Sequence, residues 1–147
     1  MKKTVRELAT DNCAKVGPKD RIYETVETIA EDKETMLACV VDEQGILRGI
    51  ISPKELLRAI EVREYGTTRY AFFEGPTVLH LLTSRNAEDI MSGPISVKAD
   101  DEVEDAINIM LDEGFYEVPV TDEDGKLVGE ISFFSIIAGS IDHLRSE

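Results

Sequence analysis

The chain has 147 residues, of which 42% are hydrophobic and 31% charged, and it carries a net charge of −14. That balance suits one compact soluble domain or two very small ones, and it excludes sequence-independent nucleic-acid binding, which needs a basic surface. No apolar run approaches the roughly 20 residues of a membrane span. The opening residues lack an apolar signal core, and two cysteines without CxxC spacing make no disulfide framework, so a reducing, cytoplasmic setting is expected.

Along the chain, a first short strand is expected at Val16, followed by a helix beginning near Asp20, with Ile22, Val26 and Ile29 on one apolar stripe. Ala38-Cys39-Val40-Val41 reads as a second strand. Asp42-Glu43-Gln44-Gly45 follows as an acidic hairpin turn, leading into a third strand that ends in Gly49-Ile50-Ile51-Ser52. The next helix carries Leu56, Leu57 and Ile60. Its start has Ser52 and Glu55 at capping-box spacing, with Pro53 in the first helical position.

Residues 61–86 then match nothing before or after them. Arg63, Tyr65, Arg69, Tyr70, Phe72 and Phe73 concentrate aromatic rings and positive charge, and Gly75-Pro76 opens a short helical stretch through Val78, Leu79, Leu81 and Leu82. The segment is too aromatic for a disordered linker. Packing against the outside of the core is the preferred reading, ahead of a lid or an oligomer contact.

Past this insert the first pattern returns. Ile95-Ser96-Val97 reads as a strand, and Val103, Ile107 and Met110 form a helical stripe, with Asp101 and Glu104 at capping-box spacing. Val118-Pro119-Val120 is the next strand, Asp122-Glu123-Asp124-Gly125 the next turn, and Gly129-Glu130-Ile131-Ser132 the end of the last strand. The final helix is apolar at Ile136, Ile137, Ile141 and Leu144. Ser135 stands where Glu55 stood, so no capping box is expected there.

The turn Asp, both Gly and the Ser of the two copies match at a constant offset of 80. Such a repeat organises the fold. It implies an α/β protein of two strand–helix–strand–strand–helix units, 3–60 and 87–145, separated by the 61–86 insert. One unit of that size buries too little surface to be secure alone, so the two are expected to pack together through their sheets as one body.

Catalysis should leave a constellation of side chains, and the sequence offers none. His80 and His143 have no metal-ligand spacing, and Cys39 sits in an apolar strand as a small core residue. The chain contains no GxSxG elbow and no GxGxxG or Walker phosphate loop. The Asp122–Gly125 run departs from the EF-hand pattern, with Leu127 where that loop needs Gly. The chain therefore reads as a non-enzyme.

Charge divides the two halves. Residues 1–80 carry a net −2 and residues 81–147 a net −12, so an anionic ligand should prefer the first half. Taken alone, the acidic half has the simpler reading of a solubilising surface. A Ser at a helix start beside open backbone N–H groups is a natural anion site, although at Ser52 the cap explains the same residues without a ligand.

These motifs together resemble the paired cystathionine β-synthase (CBS) domains, or Bateman modules. The resemblance rests on Glu88-Asp89-Ile90-Met91, Val118-Pro119-Val120, the Asp-x-x-Gly-x-Leu-x-Gly turns and Gly-x-Ile-Ser, and it covers both repeats but not the insert. It implies a regulatory module that binds an adenosine-containing ligand (AMP, ADP, ATP, S-adenosylmethionine, sometimes NAD), dimerises and modulates a partner protein. The family's Gly-x-x-Thr/Ser-x-x-Asp motif uses its hydroxyl near phosphate and its Asp on ribose. Carried over, Ser52 and Glu55 fill the first motif and Ser132 and Ser135 the second, so neither copy keeps the Asp. The resemblance further places Met36 and Leu37 against the base in one site and Tyr116 and Glu117 in the other, with Lys54 and Arg58 as phosphate ligands and Glu117 and Glu130 opposing an anion in the second copy. The rival reading is a dimerisation module whose nucleotide sites are degenerate and empty. A small metal enzyme ranks far below both.

Overall fold

The computed structural model describes residues 3–31, 36–65 and 83–146. The elements are α1 (Val5–Leu8), β1 (Ala14–Val16), α2 (Ile22–Glu31), β2 (Ala38–Val41), β3 (Leu47–Ile51), α3 (Pro53–Tyr65), α4 (Ala87–Ile90), β4 (Val97–Lys98), α5 (Val103–Glu113), β5 (Glu117–Thr121), β6 (Leu127–Ser132) and α6 (Phe133–Arg145). The aromatic stretch expected at residues 69–73 and the helix expected after Gly75-Pro76 lie outside the described residues.

Both repeats form a three-stranded sheet with the same order, β1-β2-β3 and β4-β5-β6. In each, the first pair is parallel and the second antiparallel. A parallel pair needs a long crossover, which α2 and α5 supply, whereas the antiparallel pair closes through a tight hairpin. Even the irregularity repeats, as the register shifts between Val40 and Val41 and again between Val120 and Thr121.

The hairpins follow from Asp and Gly. Asp42 Oδ1 accepts from the backbone N–H of Gln44 and Ile46, at 2.9 and 3.0 Å, and Asp122 Oδ1 accepts from Asp124 and Lys126 at the same two distances. Gly45 and Gly125 close the turns at φ 85° and 84°, in the region that a side chain disfavours. The Asp122 carboxyl lies below its ordinary pKa range because the Lys126 and Asp124 amides favour its charged form.

The two hairpins also meet. Leu47 N donates to Gly125 O and Leu127 N to Gly45 O, both at 3.0 Å, so the sheets are stitched at the turn ends. Leu37, Cys39, Leu47 and Ile50 form a buried cluster there, against which Ile95, Phe115 and Leu127 of the second half pack. The chain is thus an α/β tandem repeat packed through its sheets.

The short helices depart from the order of the sequence. Ala87 and Ile90, which open the second copy, lie in the first repeat's core with Val16, Ile22, Val40 and Ile51. Ala87 N donates to Asp20 O at 2.8 Å and Ile22 N to Arg85 O at 3.0 Å. Reciprocally, Val5 of α1 lies in the second repeat's core with Val97, Val103 and Val118, and its N–H donates to Asp101 O at 2.8 Å. A four-residue helix has little stability of its own, so these contacts determine where it sits.

Two local expectations are corrected. The N-cap of α5 is Glu102, boxed with Asp105, and not Asp101 with Glu104. Asp101 instead accepts from Lys98 N at 2.8 Å, bracing the turn that precedes the helix. The start of α6 does form a capping box: Ser132 Oγ accepts from Ser135 N at 3.1 Å, and Ser132 N donates to Ser135 Oγ at 3.2 Å. A serine hydroxyl both donates and accepts, so it can do at this position what Glu does in other boxes.

Candidate functional site

Gly49 is where the site begins. A Cβ there would fall 2.5 Å from Ser92 O, so only glycine lets the segment leaving α4 come this close to β3. Ile50 and Ser92 then exchange backbone hydrogen bonds at 3.1 and 2.8 Å, which pins Ser92 beside the end of β3. Immediately afterwards the chain turns into α3. Ser52 N donates to Glu55 Oε2 at 2.8 Å, and the Ser52 hydroxyl donates to the same oxygen. The other carboxylate oxygen, Oε1, accepts from the Ser92 hydroxyl at 2.9 Å.

This helix start lines a cavity of about 530 Å³, within the range that holds a nucleoside-sized ligand. Its wall is shared by both halves: Met36, Leu37, Ser52 to Glu55, Leu57, Arg58 and Glu61 from the first, Ser92, Ile95 and Glu113 to Glu117 from the second. Leu37 is buried, while Met36 and Tyr116 are exposed at 45% and 57% and offer apolar surface to an occupant. Gly114 ends α5 at φ 73° and sends the chain directly into the cavity wall.

Glu117 was expected on the second site. It is instead buried at 4% exposure, and its Oε1 accepts from Met36 N at 2.6 Å, tying the start of β5 to the approach to β2. Of the site residues singled out in the sequence, Met36, Leu37, Ser52, Lys54, Glu55, Arg58, Tyr116 and Glu117 share this one cavity. Ser132 and Ser135 stand outside its lining. Ser92, Phe115 and Glu113 line it without having been singled out. For Glu117 the signal was present, an acidic residue opening an otherwise apolar buried strand.

The equivalent corner of the second repeat has different chemistry. Gly129 meets Thr10 O as Gly49 meets Ser92 O, with a Cβ position only 2.3 Å away. Thr10 and Glu130 exchange backbone hydrogen bonds at 2.8 and 2.9 Å. Beyond Ser132, however, Phe133 and Phe134 replace Pro53 and Lys54. Tyr116 and Phe133 stack edge to face at 6.0 Å, and Phe133 and Phe134 at 5.3 Å. Aromatic faces thus stand where the first repeat has a lysine.

A protein-family model for the CBS domain matches residues 5–62 and again 87–141. The chain belongs to the CBS domain family. Among curated relatives, this CBS pair is 29% identical to the chloroplastic CBS domain-containing protein CBSX1 of Arabidopsis thaliana, over 97% of this chain and 66% of that one. It is 27% identical to a 17.7 kDa protein of Acidianus ambivalens, over 94% and 73%. The chain thus spans about two thirds of the length of CBSX1. Its fold matches a CBS domain-containing protein of Thermotoga maritima at a TM-score of 0.79 and 25% identity, covering 95% of each chain. It also matches Arabidopsis CBSX2 in complex with AMP at 0.78 and 24%, covering 95% and 97%. The CBS domain pair of protein MJ0100, in complex with 5′-methylthioadenosine and S-adenosyl-L-methionine, matches at 0.72 and 19%, covering 94% and 95%. Among the described residues no helix is long and apolar enough to cross a membrane.

Proposed function

We propose that this CBS pair is a regulatory sensor that binds an adenosine-containing ligand in the cavity at the Ser52–Glu55 helix start and modulates a partner protein. The observation that carries this reading is the composition of that cavity. A capped helix start, two cations and apolar surface from both repeats converge on a volume suited to a nucleoside. The AMP in CBSX2 and the adenosyl ligands in MJ0100 support the ligand class. A ligand held by both halves would tighten one repeat against the other, and that change is what a partner would read. The role is binding and regulation, not catalysis, and the two free thiols suit a reducing, cytoplasmic compartment.

The same reading includes a homodimer. Leu57 and Ile60 on α3 and Ile137, Ile141 and Leu144 on α6 are exposed between 40% and 66%, an apolar surface that a second copy would cover.

Thermal melting against AMP, ADP, ATP, S-adenosylmethionine and NAD tests the proposal. A ligand at 100 times its dissociation constant adds about 2.7 kcal/mol, several degrees in a domain of this size. Ser52→Ala with Glu55→Ala abolishes the shift, while Ser132→Ala with Ser135→Ala retains most of it. No shift with any ligand at millimolar concentration would overturn the reading in favour of an interaction module with empty sites.

A further inference from the structure

An anion-binding helix start needs open N–H groups, and α3 offers few. Pro53 has none, and the N–H of Ser52 is already given to Glu55 Oε2. At these two positions the helix start therefore has no N–H left for a phosphate, and the one at Ser52 is paired with a carboxylate of the protein itself. Glu55 is also held from the far side by the Ser92 hydroxyl at 2.9 Å, which stabilises it in that position. The rest of the wall adds to the effect. Among the described residues, Glu61, Glu113 and Glu117 join Glu55 around the cavity, four carboxyl groups against the two cations Lys54 and Arg58. Glu113 and Lys54 are exposed, whereas Glu117 is buried at 4% and accepts from Met36 N. The second half, which supplies two of the four, contributes no cation to the wall.

We propose that the cavity selects adenosyl compounds whose 5′ substituent is uncharged or positively charged, and discriminates against nucleotide polyphosphates. This inference rests on the adenosine reading above and specifies the charge of its ligand. A triphosphate brings several negative charges to a wall whose described residues are net negative, and it finds no open N–H at Ser52 or Pro53. A thioether or sulfonium substituent needs no anion site, and a cationic one is attracted by the same carboxyl groups.

Isothermal titration of the full chain at low salt with S-adenosylmethionine, 5′-methylthioadenosine, AMP and ATP tests it. The expected affinities fall in that order, with ATP at least about tenfold weaker than S-adenosylmethionine. Glu61→Gln with Glu113→Gln, two changes at the cavity wall away from the capped helix start, brings ATP to within about threefold, and raising the salt to 0.5 M narrows the same gap by screening. ATP binding as tightly as S-adenosylmethionine, or tighter, would overturn the charge inference and leave the adenosine reading standing. So would a ranking that neither the double variant nor salt alters. Failure of all four compounds to bind would overturn the adenosine reading and this inference with it.

Discussion

The hydroxyl of Ser92 donates to Glu55 Oε1 at 2.9 Å, joining the helix that leaves the first repeat to the segment that enters the second. The bond lies on the cavity wall, so it links the position of a ligand-facing carboxyl to the contact between halves. Because the acceptor is a carboxylate, its loss should be felt in stability. Ser92→Ala is expected to cost about 1–2 kcal/mol in urea denaturation, with an unchanged m-value because the Ile50 backbone pairing survives. A variant as stable as the parent would show that the bond contributes nothing to folding.

Gly129 is expected to tolerate no side chain. The Cβ of Gly129→Ala would lie 2.3 Å from the Thr10 carbonyl oxygen, a backbone atom that cannot turn aside. Separating the strands also weakens the paired hydrogen bonds between Thr10 and Glu130. The expected loss is about 2–3 kcal/mol, read as a lower urea midpoint, with faster amide exchange at Thr10. Gly93→Ala is the control, because a Cβ there meets nothing within 4 Å.

Val5 should matter far more than its place in a four-residue helix suggests. It is fully buried in the second repeat's core. Val5→Ala is expected to destabilise the protein by about 2 kcal/mol, and amide exchange should rise first in α5 and β4 rather than in its sequence neighbours β1 and α2. Leu111→Ala, at a residue 76% exposed, should change stability by no more than about 0.5 kcal/mol. Equal effects from the two would contradict the placement of α1.

The thiols give the pH prediction. Burial pushes Cys39 well above its ordinary value of 9.0, and burial also raises half-buried Cys13, which Lys15 partly counters. Folded and unfolded chains hold both thiol protons below pH 9, so stability there is unaffected. Above it the unfolded chain ionises first, and stability falls as pH rises. Cys39→Ala should flatten that alkaline slope. At pH 8, Cys39 should react with a disulfide reagent only on unfolding, since its thiolate is both rare and inaccessible. Rapid modification of both thiols in the native protein would contradict this.

Much of the architecture was legible because a repeat encodes it twice. The Asp-Gly turns and the apolar runs around Cys39 and Val118 mark the hairpins through local chemistry that any single copy shows. The partner of a short helix is a different matter. Glu88-Asp89-Ile90-Met91 reads as the opening of the second copy, and nothing in four residues says that Ile90 belongs to the first core. The site was half visible for the same reason. Met36–Leu37 and Tyr116–Glu117 occupy equivalent places in the repeat, so pattern alone assigns them to separate sites. The structure brings both to one cavity through the Glu117–Met36 bond, a contact 81 residues apart in sequence. Likewise the two glycines were visible as a motif, but their reason, the carbonyls of Ser92 and Thr10 pressed against them, is tertiary.

The crossed placement of α1 and α4 has a consequence for the order in which the protein is made. The first repeat's core is incomplete until Ala87 and Ile90 have left the ribosome, long after its own strands have paired. Val5 waits longer still, because the backbone carbonyl it binds belongs to Asp101. At typical elongation rates of about 5–20 residues per second, that interval of roughly a hundred residues lasts on the order of 5–20 seconds. Throughout it, Val5 has no core to enter, and the nascent chain holds a half-built first repeat. Synthesis therefore delays closure of the first unit until the second has begun, and the two halves mature as one body.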